Sequence, residues 1–371
     1  MITIEGTYNT AIVYIDEIES SARGQIQSLC DMEVYKDSRI RMMPDVHAGK
    51  GSTVGTTMTL HGAVCPNAVG SDISCGMLVA QIREKHLELQ KLDKICHQDI
   101  PHGPNTNKLN NVHRFINNLH ISDLKCKDHV NLQMAYCSIS SLGSGNHFIE
   151  VDKDDEGHLY IVIHTGSRHL GKEVCDWYQD LAYLQRQIYD GSDAPYFTAW
   201  FNDEKTFNNY IYDMKIIEEF AYWNRKAILD VIVKSMKLHV VDEFTTVHNY
   251  IDTKNMILRK GACSAQLGER LIIPMNMRDG SLICTGNGNP EWNFSAPHGA
   301  GRIMSRKDAK NTLSMSEYRE QMKDIYSTCV SKNTVDEAPG TYKKMEDIVD
   351  KITDTVEINK VIRPIYNFKA S

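Results

Sequence analysis

The order of apolar and polar residues divides the chain into parts with different predicted structures. In residues 1–150, short apolar runs alternate with turns rich in Gly, Pro, Asn and Asp, such as PNTN at 104–107, which is typical of strands and loops. Residues 159–163 form an apolar run that predicts a buried strand ending at His164. The segment that follows predicts a helical insert at about residues 172–240. Its apolar residues at helical spacing are Tyr178, Leu181, Ala182 and Ile188, then Ile217, Ala221, Ile228 and Ile232.

From about Phe244 the chain returns to short strands and Gly-rich turns, with predicted helices near 314–330 and 342–352. The last segment, 361–369, predicts a strand, and Pro364 predicts that this strand lies at a sheet edge, because proline has no N–H to donate. Strands outside and helices in the middle are typical of an α+β fold. Since chemical motifs fall on both sides of the insert, the pattern favours one compact domain over residues 1–371, with mixed β-sheets around the active site.

Composition narrows the class of protein. With 371 residues, 42% of them hydrophobic, the chain can bury a large core. Its formal net charge is −7, which argues against a protein that binds nucleic acid by overall charge, so any contact with RNA must be a local patch. The ten cysteines are scattered, as in reduced cytosolic proteins. The first residues lack the pattern of a secretory signal and no apolar run is long enough to cross a membrane, so we expect a cytoplasmic protein without a membrane partner.

Five candidate metal ligands lie in short segments rich in Gly and other small residues: Asp72, Cys75, His147, His164 and His248. Glycine beside a ligand lets the backbone approach a metal or a phosphate closely. A thiolate with imidazoles favours zinc, whereas a carboxylate and open coordination favour manganese. For any one histidine, an ordinary surface or core position is the commoner interpretation. The residues alone therefore indicate a metal enzyme without fixing the metal.

The segment FSAPHGAGRIMSR at 294–306 carries the most chemical information. A histidine beside phosphate donors, here His298, can act as an acid, a base or a covalent nucleophile. A nucleophilic imidazole needs a partner for its other nitrogen, and Asp45, in MPDVHAGKG at 43–51, is a candidate.

The residues after His298 predict phosphate binding. The backbone amides of Gly299, Ala300 and Gly301 could hold phosphate oxygens, although a helix cap or a tight turn explains the same sequence. Arg302 and Arg306 are four residues apart, so on a helix they would share one face and reach phosphates together.

Taken together, these segments resemble the RtcB family of RNA-splicing ligases, and the match runs from Pro44 to Lys369. The motifs occur in family order: PDVH at 44–47 followed by G-x-G, DISCGM at 72–77, GNHFIE at 145–150, HTGSR at 164–168, NR at 224–225, HNY at 248–250, RKGA at 259–262 and HGAGR at 298–302. Ser74 stands where the family has glycine, and PMNMR at 274–278 replaces its PGSMG turn. These departures suggest a divergent, bacterial-type subgroup, devoted to repairing damaged RNA rather than to tRNA splicing, within a family whose ligases act in RNA repair or tRNA splicing.

The resemblance implies two manganese ions bridged by Cys75. Asp72 and His147 would complete one site, and His164 and His248 the other. His298 would attack the α-phosphate of GTP and become guanylylated, while Asp45 orients its imidazole. The implied nucleotide-binding residues are Asn146, His147, Phe148, Ile149, Glu150, His248, Asn249, Pro274, Met275, Asn276, Met277, Ser281, His298, Gly299, Ala300, Gly301, Tyr342 and Lys369.

The implied substrate is RNA with a 2′,3′-cyclic phosphate or a 3′-phosphate at one end and a 5′-hydroxyl at the other. GMP would move from His298 to the 3′-phosphate, and the 5′-hydroxyl would then displace it. Arg168, Lys260, Arg302 and Arg306 would hold RNA phosphates. The resemblance also leaves room for an activating protein partner.

Two other classes compete with the ligase. A metal-dependent phosphohydrolase or nuclease could use the same metal ligands without guanylylation, and an RNA-binding protein would need no catalytic site at all. The His298 segment together with Lys369 favours the ligase, because a hydrolase needs neither a guanine pocket nor a nucleophilic histidine.

Overall fold

The computed structural model describes residues 1–191 and 195–369. The strands in these ranges are β1 (Ile2–Glu5), β2 (Thr10–Val13), β3 (Ile40–His47), β4 (Val54–Thr59), β5 (Gly76–Ile82), β6 (Phe148–Lys153), β7 (Leu159–Thr165), β8 (Val240–Val247), β9 (Asn249–Asp252), β10 (Ile257–Lys260), β11 (Ala262–Ser264), β12 (Arg270–Asn276), β13 (Gly280–Gly286), β14 (Ser295–Pro297) and β15 (Val356–Lys369). The α-helices are α1 (Ser20–Cys30), α2 (Pro66–Val69), α3 (Leu89–Asp99), α4 (Leu132–Ser138), α5 (Arg168–Asp190), α6 (Glu204–Met236), α7 (Arg306–Thr312), α8 (Met315–Gln321) and α9 (Met345–Ile352).

The strands of the described residues form three sheets. A six-stranded sheet has the order β1-β2-β3-β4-β10-β9, a seven-stranded sheet has the order β12-β13-β15-β6-β7-β5-β8, and β11 pairs with β14. Every residue of β7 is buried, as its apolar sequence predicts. Sheets and helices pack as one compact body, which confirms the predicted α+β class. No helix in the described ranges is both long and apolar enough to cross a membrane.

The predicted helical insert corresponds to α5 and α6, although α5 already begins at Arg168. Asp203 caps α6 by accepting a hydrogen bond from the Thr206 amide at 2.8 Å. The first half of α6 packs in one hydrophobic core through residues such as Phe220, and its second half packs in another through residues such as Ile232. The domain boundaries themselves stay a prediction, and residues 192–194 of the insert lie outside the described residues.

The prediction that Pro364 marks a sheet edge is wrong. β15 lies between β13 and β6 inside the seven-stranded sheet. The pairing of β13 with β15 ends at Ile362, and a bulge interrupts the pairing of β15 with β6 between Pro364 and Tyr366. Because the chain pairs on one side only at that point, no neighbouring carbonyl needs the missing N–H of proline.

Four local predictions need correction. Arg302 and Arg306 do not share a helix, because Arg302 forms an isolated β-bridge with Tyr342 and α7 begins only at Arg306. The helix predicted near 314–330 ends at Gln321, and Ile188 of the predicted apolar stripe is 77% exposed. Residues 1–150, for which strands and loops were predicted, also contain the helices α1, α3 and α4. The Gly-rich and Pro-rich turns of this region led to the prediction of strands and loops, and the helical periodicity of these segments was missed.

Candidate active site

Four neighbouring strands bring the predicted metal ligands to one edge of the seven-stranded sheet. β6, β7, β5 and β8 are antiparallel neighbours, so the starts of β6 and β5 meet the ends of β7 and β8. His147 precedes β6 and Cys75 precedes β5, while His164 lies at the end of β7 and His248 follows β8. Residues far apart in sequence therefore meet because of strand register. Rigid strands also limit how far each ligand can move.

The ligand atoms form two groups that share Cys75. Cys75, His164 and His248 form one group, and Asp72, Cys75 and His147 form the other, with the ligand atoms in each group within 4.8 Å of one another. The Cys75 Sγ lies 3.2 Å from His164 Nε2 and 3.5 Å from His147 Nε2. A thiolate between two imidazole groups suits a bridging position between two divalent cations. The donor set therefore fits a two-metal centre.

The histidines are arranged to offer a nitrogen without a proton. The Nδ1 of His147 lies 2.9 Å from the Leu142 carbonyl oxygen, and the Nδ1 of His164 lies 3.2 Å from that of Asn146. These carbonyls accept the ring proton and leave Nε2 free to bind a metal. Burial holds the pKa of His164 and of His248 well below the usual range, so both rings are neutral.

The thiol of Cys75 needs a positive charge to ionise. Burial and the charge of Asp72 hold its pKa well above the usual range, while the guanidinium of Arg225 acts in the opposite direction. Arg225 is 1% exposed and donates to the carbonyls of Ser74 and Thr165, each at 3.0 Å. The same side chain thus fixes the backbone beside two ligands and favours the thiolate that a metal requires.

Ser74 explains why glycine suits this position. Its φ is +57°, in the left-handed region that side chains disfavour, and the residue is fully buried. Its amide donates to the Asn249 carbonyl at 2.7 Å, so the loop is held in this conformation. The chain carries local backbone strain directly beside Cys75.

His298 lies next to the metal ligands and is held by Asp45. The His298 Nδ1 is 2.6 Å from Asp45 Oδ2, and the His298 amide donates to the same oxygen at 3.2 Å. The rings of His298 and His248 are 4.9 Å apart between centroids. With its Nδ1–H donating a hydrogen bond to Asp45, the imidazole presents Nε2 as a nucleophile or base. Gly301, at φ +75°, lets the following loop pack on Asp45, because a Cβ would overlap the Asp45 carbonyl.

A cavity of about 380 Å³ connects these groups. Most predicted nucleotide-binding residues line it: Asn146, Phe148, Glu150, His248, Asn249, Pro274, Met275, Asn276, Met277, His298, Gly299, Ala300, Gly301, Tyr342 and Lys369. Three others do not line it. His147 lies in the ligand group with Asp72 and Cys75. Ile149 packs in the core on the opposite face of β6, and Ser281 is fully buried in β13.

The departure at 274–278 has a local explanation. The side-chain oxygen of Asn276 accepts hydrogen bonds from the amides of Arg278 and Asp279, at 3.0 and 2.9 Å, and so closes the turn between β12 and β13. Met277 packs against Tyr318 in a small hydrophobic cluster. The turn presents apolar side chains and backbone to the cavity.

Sequence reasoning missed Glu337, which is central to the cation arrangement. Its buried carboxylate lies 3.3 Å from Arg302, 3.1 Å from Arg306 and 2.9 Å from Lys369, and it accepts a hydrogen bond from the Tyr342 hydroxyl at 2.6 Å. Burial alone would raise the pKa of Glu337, but the charges of Lys369 and Arg306 and the hydrogen bond from Tyr342 hold it below its usual range. The only sequence signal was a Glu beside Asp336 in a segment without a metal or phosphate motif.

The other predicted phosphate ligands have structural partners. Lys260 is buried, donates to the carbonyls of Lys50, Ser52 and Asn67, and has its pKa lowered by burial to about 8. Arg168 donates to the Ser141 hydroxyl at 2.9 Å and to the Gly103 carbonyl at 3.2 Å. Their contact with RNA stays a prediction.

Comparisons with known proteins find relatives that match nearly the whole chain. The family model described as "tRNA-splicing ligase RtcB" matches residues 25–370. The chain is similar to the RNA-splicing ligase RtcB of Escherichia coli K12, with 29% identity over 94% of each chain. It is also similar to the tRNA-splicing ligases RtcB of Aeropyrum pernix, 26% identical over 96% of this chain and 94% of that one, and of Thermococcus kodakarensis, 25% identical over 89% and 86%.

Replacing Ser74 with glycine should stabilise the protein. We expect Ser74→Gly to raise the free energy of unfolding by about 1 kcal/mol, because glycine adopts a positive φ without the cost that other residues incur. Ser74→Ala is the matched control, since it removes the hydroxyl and keeps the strain. Denaturant unfolding of the metal-free proteins measures both, and equal stability of the two variants would contradict the backbone explanation.

Removing the shared ligand should affect both metal groups. We expect Cys75→Ala to lose nearly all bound divalent metal, whereas His248→Ala, which changes one group, should keep about half. Elemental analysis after equilibration with metal and desalting gives the number of ions per chain. A Cys75→Ala protein with the wild-type metal content would show that the thiolate is not shared.

Proposed function

This chain belongs to the RtcB family, and from this premise we propose that it is an RNA ligase that works through a guanylylated His298. It joins an RNA 3′-phosphate or 2′,3′-cyclic phosphate end to a 5′-hydroxyl end, in RNA repair or tRNA splicing. The observation that carries the proposal is the His298 imidazole, held at Nδ1 by Asp45, beside a two-metal ligand set and inside a nucleotide-sized cavity.

The proposed cofactors are two manganese ions and GTP. Asp72, Cys75, His147, His164 and His248 would hold the metals, which would neutralise charge on the phosphate oxygens. A thiolate and imidazoles also suit zinc, so the choice of manganese rests on the family.

The first step transfers GMP to the protein. His298 Nε2 attacks the α-phosphorus of GTP, an N–P bond forms, and the bond to pyrophosphate breaks. Asp45 keeps the proton on Nδ1 and balances the positive charge that develops on the ring. The loop amides of Gly299 to Gly301, which line the same cavity, would donate to the phosphate of the adduct.

The guanine is proposed to bind between Phe148 and Glu150. Phe148 supplies an apolar face, and Glu150 can accept hydrogen bonds from the N1–H and N2–H₂ edge. Asn367 donates to the Glu150 carboxylate at 2.6 Å and fixes its orientation. A base with a hydrogen-bond acceptor at that edge would meet the carboxylate unfavourably, which selects guanine over adenine.

A 2′,3′-cyclic phosphate end is first hydrolysed by water to a 3′-phosphate and a free 2′-hydroxyl. The second step moves GMP to RNA. An oxygen of the RNA 3′-phosphate attacks the adduct phosphorus and the N–P bond to His298 breaks, which gives an RNA end activated by a pyrophosphate link to guanosine. The 5′-hydroxyl of the other RNA attacks the 3′-phosphorus, and GMP leaves. Arg306 is the best placed of the predicted phosphate ligands, because its side chain is 47% exposed at the cavity while it pairs with Glu337.

The phosphohydrolase alternative uses the metal ligands but leaves other features without a role. A phosphohydrolase does not require His298 to be held by Asp45. It also does not require a guanine site formed by Phe148 and Glu150, or Lys369 near that site. Membership of the RtcB family supports the ligase on independent grounds.

The adduct on His298 tests this proposal directly. We expect wild-type protein incubated with α-labelled GTP and manganese to retain an acid-labile label on His298, because its Nε2 has no hydrogen-bond partner among residues 1–191 and 195–369 and the residue lines the cavity. His298→Gln should retain none, and Asp45→Asn should label at least about a hundredfold more slowly, because the wrong tautomer is favoured. Denaturing electrophoresis and peptide mass spectrometry locate the label. A label on lysine, or none with any metal, would rule out the proposed ligase mechanism.

The guanine contact should depend on pH. Burial raises the pKa of Glu150 to about 7, although the Asn367 hydrogen bond and the charge of Lys369 both lower it; Asp152 is the other carboxyl on this face of β6. Below that pH the carboxyl carries a proton and loses an acceptor, so the GTP concentration at half-maximal labelling should rise by about tenfold. Glu150→Gln should show a high and pH-independent value. The proposed contact is wrong if both proteins respond to pH alike.

A further inference from the structure

A half-exposed aromatic ring lies beside the cavity in a segment that no sequence motif marks. The Phe197 side chain is 50% exposed, and the ammonium of Lys50 lies 4.9 Å from the centre of its ring. Lys50 itself lines the cavity. We propose that Phe197 and Lys50 form a platform on which an unpaired base of the RNA end stacks, a site that rests on the proposed ligase function and extends it.

The backbone that carries Phe197 is held firmly. The side-chain amide of Gln179 donates to the carbonyl oxygens of Tyr196 at 2.6 Å and Ala199 at 3.0 Å. The Cys65 thiol lies 3.5 Å from the Phe197 carbonyl oxygen. These contacts tie the segment to α5 and to the start of α2. The exposed ring therefore projects from a fixed backbone, and such preorganisation favours binding.

Lys50 differs from the neighbouring cations in its pairing with carboxylates. Within residues 1–191 and 195–369, no carboxylate oxygen lies within 4.0 Å of its ammonium, whereas Arg302 and Lys369 pair with Glu337. Lys260 donates to backbone carbonyls. An aromatic ring next to an available cation matches the two needs of single-stranded RNA, stacking for a base and a positive charge for the adjacent phosphate.

The position of the pair favours RNA over nucleotide. Glu150 and Lys369 lie on strands β6 and β15, whereas Lys50 belongs to the β3–β4 loop. This loop packs against α2 at the next residue, where a Cβ on Gly51 would lie 2.6 Å from the Cβ of Asn67. With guanine bound on the Glu150 side, the Lys50 side is left for the RNA end. A base seated there would keep the terminal phosphate within the cavity that contains His298.

A second pair of a lysine and an aromatic ring, elsewhere on the surface, provides a control for the alternative that such pairs have no role in RNA binding. The ammonium of Lys125 lies 4.4 Å from the ring centre of Tyr212, which is 42% exposed on α6. Neither residue lines the cavity around His298. If such pairs have no role in RNA binding, substitutions of Phe197 and of Tyr212 should have the same small effect on that binding.

The test separates RNA binding from nucleotide chemistry. Protein labelled with GMP beforehand is mixed with single-stranded 3′-phosphate RNA, and the RNA concentration for half-maximal transfer of GMP is measured. We expect Phe197→Ala and Phe197→Leu to raise it tenfold or more, a change that equals about 1.4 kcal/mol and lies within the range for one stacked base. Phe197→Trp should keep or lower it, and Tyr212→Ala should leave it unchanged. The rate of GMP attachment to His298 should stay within twofold in every variant.

Two further arms make the interpretation specific. With RNA that lacks one base near its 3′ end, scanned over the last few nucleotides, one position should abolish the difference between wild type and Phe197→Ala. Lys50→Gln should lower the slope of binding against salt by about 0.7, as loss of one phosphate contact on a single strand predicts, and Phe197→Ala should not.

The platform is wrong if Phe197→Leu behaves as wild type, or if Phe197→Ala and Tyr212→Ala do not differ. Failure of wild-type protein to attach GMP or to transfer it would instead contradict the proposed ligase function. The two failures are therefore distinguishable in the same experiment.

Discussion

The arrangement of the site depends on the hydrogen bonds that the buried guanidinium of Arg225 donates. It joins the carbonyl beside Cys75 to the carbonyl beside His164, and so fixes the distance between two ligand segments that come from different strands. A buried cation that donates to neutral carbonyls needs a nearby negative charge. Asp72 supplies part of that charge, and Cys75 would supply more once a bound metal ion favours its thiolate. Folding and metal binding are therefore coupled at this position.

Much of the site could be predicted because its chemistry is local in sequence. Each ligand lies in a short motif, and strand ends are where a rigid sheet presents side chains. Glu337 could not be predicted, because its importance comes from three cations that converge on it from two segments far from it in sequence, Arg302 and Arg306 from one and Lys369 from the other. Pro364 misled for a related reason, since one residue does not reveal where the neighbouring strand stops. The conformational propensity of a residue depends on that residue alone, whereas its pairing in a sheet also depends on where the neighbouring strand ends.

The distribution of positive charge explains how a chain with a net charge of −7 can act on RNA. Several cations near the cavity are occupied by Glu337 or by backbone carbonyls, so they shape the site more than they attract a polyanion. Such fixed charges gain strength in a cavity shielded from water, where rearrangement is costly. Recognition then relies on a few placed groups at the rim, and weak attraction over the whole surface protects the site from unrelated nucleic acid.

Asp45 shows how an incomplete hydrogen-bond network can serve the proposed reaction. The residue is fully buried, its Oδ2 accepts from both the amide and the ring of His298, and its Oδ1 has no partner among the described residues. A buried carboxylate with few donors is poorly stabilised, so it gains most from a cation nearby. The ring becomes that cation when Nε2 bonds to phosphorus. Burying Asp45 without full compensation therefore lowers the energy of the charged adduct relative to the free histidine, which is where a nucleophilic histidine needs help.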